Sequence, residues 1–214
     1  MISVTFLLAS FIAILSIVNP FTAMPVFLAL TDTHTSEHRD RQAGKAALFM
    51  VLILSVFLIG GTYIINFFGI SMEGIRIAGG LMIMKWAYSL LDPDMRGRKL
   101  SFEDQKDAQA KADISFSPLA MPLLSGPGSI AVVLGLQSQA TEFNHYFTVL
   151  LAICLVALTA YIILRIAPAA VKILGKTGMS ALTRMMGFIT LCIGVQFIIS
   201  GITLIVNGLF IINP

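Results

Sequence analysis

The sequence predicts an all-α integral membrane protein: six transmembrane helices forming two inverted three-helix repeats, with the first and fourth spans interrupted. Three observations point there: the composition, the length of the apolar runs, and a match between the two halves. Of 214 residues, 57% are hydrophobic and only 12% charged, and the mean hydropathy is +0.90, far outside the range of soluble domains. The apolar runs are about 20 residues long, enough to cross roughly 30 Å of hydrocarbon as helix. They are continuous, unlike the alternating segments of a membrane β-barrel.

Span 1 is expected at about 3–30. It has no basic leader and no small-residue cleavage site, so it reads as a retained span rather than a signal peptide. Spans 2 and 3 follow at about 45–68 and 73–91, and the charged segment 92–113, DPDMRGRKLSFEDQKDAQAKAD, reads as a cytoplasmic linker. Span 4, at about 114–137, contains FSPLAMPLLSGPGSI, in which three prolines and two glycines interrupt an apolar run. Spans 5 and 6 are expected at about 146–168 and 184–207. The domain division is therefore 1–91, a first three-span unit; 92–113, the linker; and 114–214, a second three-span unit.

Of the 14 lysines and arginines, all but Arg76 and Lys85 fall in the loops and helix ends after spans 1, 3 and 5. By the positive-inside rule those loops are cytoplasmic, which places both termini on the external side.

The halves match in three places in the same order. Ala23-Met24-Pro25 after Asn19-Pro20 is paired by Ala120-Met121-Pro122 after Ser117-Pro118, and the Arg76-to-Gly79 start of span 3 by Arg184 to Gly187 in span 6. Spans 2 and 5 are unbroken runs in corresponding positions. A three-span unit enters on one face and leaves on the other, so its second copy is inverted, the layout of many secondary transporters.

A proline inside a helix removes an N–H donor and clashes with the carbonyl one turn back. In lipid such a site survives where it is buried in protein or lines a polar cavity. Matched interruptions in inverted halves point to a substrate site near the midplane. The candidate binding residues are Asn19, Pro20, Thr22 and Pro25 in span 1, with Ser117, Pro122, Ser125, Gly126, Gly128 and Ser129 in span 4. A half-helix restarting after Pro20 or Pro127 points free N–H groups and a positive dipole end at a ligand, which suits a carboxylate. The hydroxyls and Asn19 offer neutral hydrogen bonds, and carbonyls freed by the prolines can accept from an ammonium group. The competing reading is that the glycines serve close helix packing and the hydroxyls bond back to the backbone.

Arg76 and Arg184 occupy matching repeat positions and are possible charge partners for freed carbonyls or a substrate carboxylate. Both also lie near span ends, where an arginine snorkels to the interface, and the same reading is favoured for Lys85. Trp86 and Tyr88 suit an interfacial belt. No Asp or Glu lies mid-span, so a coupling ion, proton or sodium, would need carbonyls, Asn19 or a carboxylate at a span end.

Other chemistry lacks its residues. No phosphate-binding glycine loop with its lysine is present. His34 and His38 have i, i+4 spacing but no further ligand in sequence, so no metal site is expected. No histidine lies in a span to serve a membrane serine as base. Cys154 and Cys192 lie in apolar runs as packing residues. Neither enzymatic activity, a cofactor nor a nucleic-acid partner is expected; the partners are the lipid bilayer, a small zwitterionic substrate and, as an open option, further copies of the chain.

The run Asn19-Pro20 to Pro25-Val26-Phe27, GIRIAGG at 74–80, PLAMPLLSGPGSIA at 118–131 and TRMMGFITLCIGVQFIISGI at 183–202 together resemble the MarC family of six-span prokaryotic integral membrane proteins. The similarity runs across essentially the whole chain. It implies a bacterial-type cytoplasmic (inner) membrane location. It also links the chain to family members that transport small neutral amino acids such as glycine and alanine. The expected function is thus a secondary transporter of that class working by alternating access. A non-transporting scaffold or partner protein and a passive small-solute channel are the alternatives.

Overall fold

The computed structural model describes residues 4–32, 34–91, 113–138 and 143–211, with the side chains at 122, 143, 176 and 209–211 outside the described set. The expected linker at 92–112 lies outside the described residues; Asp113 alone of that segment lies within them.

Every regular element among the described residues is helical: α1 (Val4–Val18), α2 (Pro20–Leu30), α3 (Ser36–Phe68), α4 (Met72–Leu91), the π-helical α5 (Ser115–Leu124), α6 (Pro127–Gln137) and α7 (Phe143–Ile211). Among them four helical stretches are long and apolar enough to cross a membrane: Val4–Leu30, Ser36–Phe68, Asn144–Gly175 and Thr177–Gly208. Large apolar side chains such as Ile59, Tyr63, Phe67 and Ile173 face outward, each at least 70% exposed. A surface of that kind is sheltered by lipid rather than by water. The chain is a multi-pass helical membrane protein.

α3 starts nine residues before the expected span, because Thr35 caps it by accepting the His38 N–H (3.3 Å). It ends at Gly69, whose left-handed backbone (φ 62°) lets the Ile70 N–H close on the Ile65 carbonyl. α4 is helical over nearly the expected residues but carries Glu73, Arg76 and Lys85 in twenty residues. The segment 169–183, expected as a loop, is instead helical except at Gly175 (φ 64°, ψ −179°). Nothing else there terminates a helix, so α7 forms two arms that meet at this one residue, in a conformation open essentially to glycine.

α4 runs antiparallel to the second arm of α7. A Cβ on Gly80 would lie 2.7 Å from the Gly194 carbonyl oxygen, one on Gly187 2.8 Å from Leu90 Cβ, and one on Gly201 3.0 Å from the Glu73 carbonyl oxygen. Glycines at these points bring the two backbones into direct contact, the close packing that associates helices in lipid. The remaining core is built on Phe27, Leu30, Met50, Leu54, Leu119, Leu124, Ile153 and Leu164, all fully buried where α2, α3, α5 and the first arm of α7 meet.

Candidate functional site

Both expected interruptions are real breaks, and each starts a new helix. In the first, Asn19 takes a left-handed conformation (φ 38°, ψ 69°) and Pro20 occupies the first turn of α2. Asparagine tolerates this region better than most residues because its short amide bonds locally, and proline at a first helical position removes a donor that had no partner anyway. The break keeps its backbone bonds: Asn19 N–H to the Leu15 carbonyl (2.8 Å) and Thr22 N–H to the Asn19 carbonyl (3.0 Å). In the second, α5 leaves helical geometry at Ser117 and Met121, Gly126 is extended (φ −68°, ψ 174°), and Pro127 opens α6.

α2 and α6 are each eleven residues long and each begins with proline. In this respect Asn19-Pro20 resembles Gly126-Pro127. The two Ala-Met-Pro triplets, matched by letter, lie in unlike backbone: one inside α2, the other in the π-helical α5.

The breaks are neighbours. A Cβ on Gly128 would come 3.2 Å from Ile17 Cγ2, two residues before Asn19. Around this point lies a cavity of about 390 Å³, within the usual size of small-molecule sites. Gly126, Pro127, Gly128, Ser129 and Leu123 form one wall; Ile17, Met82, Ile83, Lys85, Trp86 and Thr190 form the others. Pro127 has no N–H and Gly126 no side chain to cap the helix, so Gly128 and Ser129 are the first residues of α6 that carry N–H donors, and both line the cavity. Among the described residues the charged side chain in the lining is Lys85, and none of the lining residues is a carboxylate, so these residues present positive charge at the polar end of the cavity.

The candidate residues divide. Gly126, Gly128 and Ser129 line the cavity. Ser125 is adjacent, fully buried, and its Oγ has no hydrogen-bond partner among the described residues. Asn19 is buried and its Nδ2 donates to Thr190 Oγ1 (3.1 Å), which itself donates to the Met186 carbonyl (2.8 Å). Asn19 thus touches the cavity through a lining residue rather than directly. The Thr22 hydroxyl turns back to the Asn19 carbonyl (2.8 Å) and that of Ser129 to the Leu124 carbonyl (3.0 Å), each closing its own break and spending its donor.

Pro20, Pro25 and Ser117 are not in the cavity lining; Pro20 is buried, Pro25 half-buried and Ser117 exposed, and the side chain of Pro122 lies outside the described set. Arg76 and Arg184 are not in it either: Arg76 is half-buried near Gly201 at one end of the α4–α7 pair, and Arg184 is exposed near the other. Lys85 and Trp86, read from sequence as interfacial, line the cavity instead. Met82, Ile83 and Ile17 lie in no motif, and Thr190 lies in the 183–202 run without being a site candidate there. They are selected by the faces of α1, α4 and α7 that meet the break, and in nearly all-apolar helices no periodicity marks those faces.

Comparison with known proteins agrees with the membrane fold. Residues 4–206 match the model of the family described as MarC family integral membrane protein. Similar relatives include UPF0056 membrane protein MJ1677 of Methanocaldococcus jannaschii, 37% identical over 92% of this chain and 96% of the relative. UPF0056 membrane protein YhcE of Escherichia coli is 33% identical over 93% of each chain. UPF0056 inner membrane protein MarC of Citrobacter koseri is 34% identical over 92% of this chain and 93% of its own. No solved structure matches the chain. With a family match along nearly its whole length and relatives above 30% identity, this chain belongs to the MarC family of integral membrane proteins.

Proposed function

We propose that the protein is a secondary transporter of small neutral amino acids, glycine and alanine among them, in the cytoplasmic membrane. The observation that carries this reading is the cavity where the two helix breaks meet. Broken helices at membrane depth are tolerated where they are buried in protein or line a polar cavity, and in many transporters paired breaks form the substrate site. The chemistry of the lining agrees. The Gly128 and Ser129 N–H groups, the positive end of α6 and Lys85 favour a carboxylate. The wall of Ile17, Ile83 and Leu123 accommodates a short apolar side chain and gives no partner to a charged one.

In this reading the units 1–91 and 114–214 are inverted copies of six spans in total, rocking about the cavity, with both termini external. The equal length of α2 and α6, each opened by proline, supports the inversion. So does the antiparallel α4–α7 contact, which joins the two units through their third spans.

The test is counterflow. Liposomes containing the purified protein and loaded with unlabelled glycine are expected to accumulate labelled glycine or alanine transiently. A folded preparation showing no flux contradicts transport; flux without saturation or counterflow indicates a channel.

A further inference from the structure

The polar side chains around the cavity are unequal in kind. Lys85 and Trp86 line it, and an ammonium or an indole N–H can only donate. The ion pairs among the described residues are Arg41–Glu37, Lys45–Asp113 and Arg165–Asp40, so Lys85 enters none of them. The hydrogen bond at Trp86 goes to its carbonyl, from Ser89 Oγ (2.6 Å), and leaves the indole N–H aside. The two hydroxyls in the lining are already engaged as donors, Ser129 to the Leu124 carbonyl (3.0 Å) and Thr190 to the Met186 carbonyl (2.8 Å). Each retains only a neutral oxygen, and that of Thr190 also accepts from Asn19.

The two ends of an amino acid therefore meet different surroundings. Its carboxylate has a formal charge to pair with at Lys85, and charge-assisted hydrogen bonds are roughly twice as strong as neutral ones. Its ammonium has only neutral oxygens to donate to, and shares a cavity of about 390 Å³ with the Lys85 cation, which repels it. We propose that the cavity recognises the carboxylate alone, so that it takes small aliphatic monocarboxylates without an amino group alongside the amino acids, with Lys85 as the residue that sets this preference. The inference rests on the reading of the cavity as the solute site and deepens it.

The rest of the wall fits such a ligand. Lys85 is exposed in the empty cavity, where water solvates the unpaired charge; a carboxylate replaces that water with an opposite charge. A monocarboxylate and Lys85 together are neutral, alanine leaves the positive charge standing, and an amine adds a second one. Ile17, Ile83 and Leu123 offer a short carbon chain an apolar surface and nothing that requires an amino group. At the same break Ser125, between the wall residues Leu123 and Gly126, is fully buried with its Oγ unpartnered among the described residues. It is a further hydrogen-bonding group left unmet beside the first free N–H groups of α6.

Titration calorimetry on the purified full chain, with sodium chloride as the ionic-strength reference, tests it with four probes of similar size: sodium propionate, alanine, propionamide and propylamine. Propionate is expected to bind at least as tightly as alanine, and the two probes without a carboxylate are expected not to bind. Lys85→Met is expected to weaken propionate by about tenfold or more, the scale of one charge-assisted hydrogen bond. It should weaken alanine less, because the like charge beside the ammonium is removed as well. Lys85→Arg is expected to restore propionate binding, and the melting temperature of each unliganded variant checks its fold. Alanine binding without propionate binding overturns this inference and leaves the transporter reading standing. Propionate binding in a protein that shows no alanine flux supports the inference and counts against that reading. Propionate affinity unchanged in Lys85→Met, or propylamine binding as tightly as propionate, overturns the proposal.

Discussion

Gly128 lies against Ile83 so closely that a Cβ on it would stand 2.5 Å from Ile83 Cγ1. This contact between α6 and α4 closes one side of the cavity. Gly128→Ala is expected to destabilise the fold by about 1–3 kcal/mol through overpacking, offset in part by the better helix propensity of alanine, about 1 kcal/mol. Adding Ile83→Ala removes the obstructing carbon, so the double variant should lose less than the sum of the two single losses in a thermal unfolding cycle in detergent. Strict additivity would mean that the two residues do not meet.

Asn19 joins the first break to α7 in two ways, by its left-handed backbone and by its bond to Thr190. Asn19→Gly should lose only the bond, while Asn19→Ala should lose a further ~1–2 kcal/mol for placing a Cβ in that region. Thr190→Val leaves the buried Asn19 amide without its acceptor and should cost about 1–3 kcal/mol. Thermal unfolding of the three variants checks the order.

Gly175 is the single non-helical residue between the arms of α7. Gly175→Ala is expected to cost about 1–3 kcal/mol, because that backbone region is essentially closed to other residues. The distance between spin labels on the two arms should also change as the chain relaxes toward continuous helix. An unchanged distance with unchanged stability would show that the bend does not need glycine.

These three sites show what was readable from the sequence and what was not. The breaks were readable, since Asn19-Pro20 and Gly126-Pro127-Gly128 interrupt apolar runs and few residues do so. Which prolines open a helix was not. Ala-Met-Pro matches by letter, yet whether a proline opens a helix or disturbs one depends on the conformation of the residue before it, here left-handed at Asn19 and extended at Gly126. The continuity of α7 was missed because basic residues at 172–184 mark an interface but do not stop a helix. The cavity walls on α4 and α7 were hidden for a third reason: Lys85, Trp86 and Thr190 are brought to the break by glycine contacts between distant helices, which no local pattern encodes.

Asp113 is held well below the usual carboxylate range, from 3.8 to about 2, chiefly by hydrogen bonds from Lys45 and Ser115, which outweigh its partial burial. A depressed carboxylate contributes stability above its unfolded value and loses it as pH falls toward its folded one. The stability gap between wild type and Asp113→Asn is therefore expected to be constant above about pH 5, to shrink as pH falls through the unfolded and then the folded value, and to vanish only below about pH 2. A gap that widens on acidification contradicts this pairing. The carboxylate is half exposed, so solvent screening keeps the gap small.

The central claim is that the cavity between the breaks holds the transported solute. Met82 lines it, whereas Cys154 and Cys192 are free and exposed elsewhere. In a protein with both cysteines replaced by serine, Met82→Cys can be titrated with a small membrane-permeant maleimide in liposomes that also report glycine counterflow. Saturating glycine is expected to slow the modification of that cysteine. Counterflow that persists while glycine leaves the modification rate unchanged would contradict the claim and place the solute elsewhere.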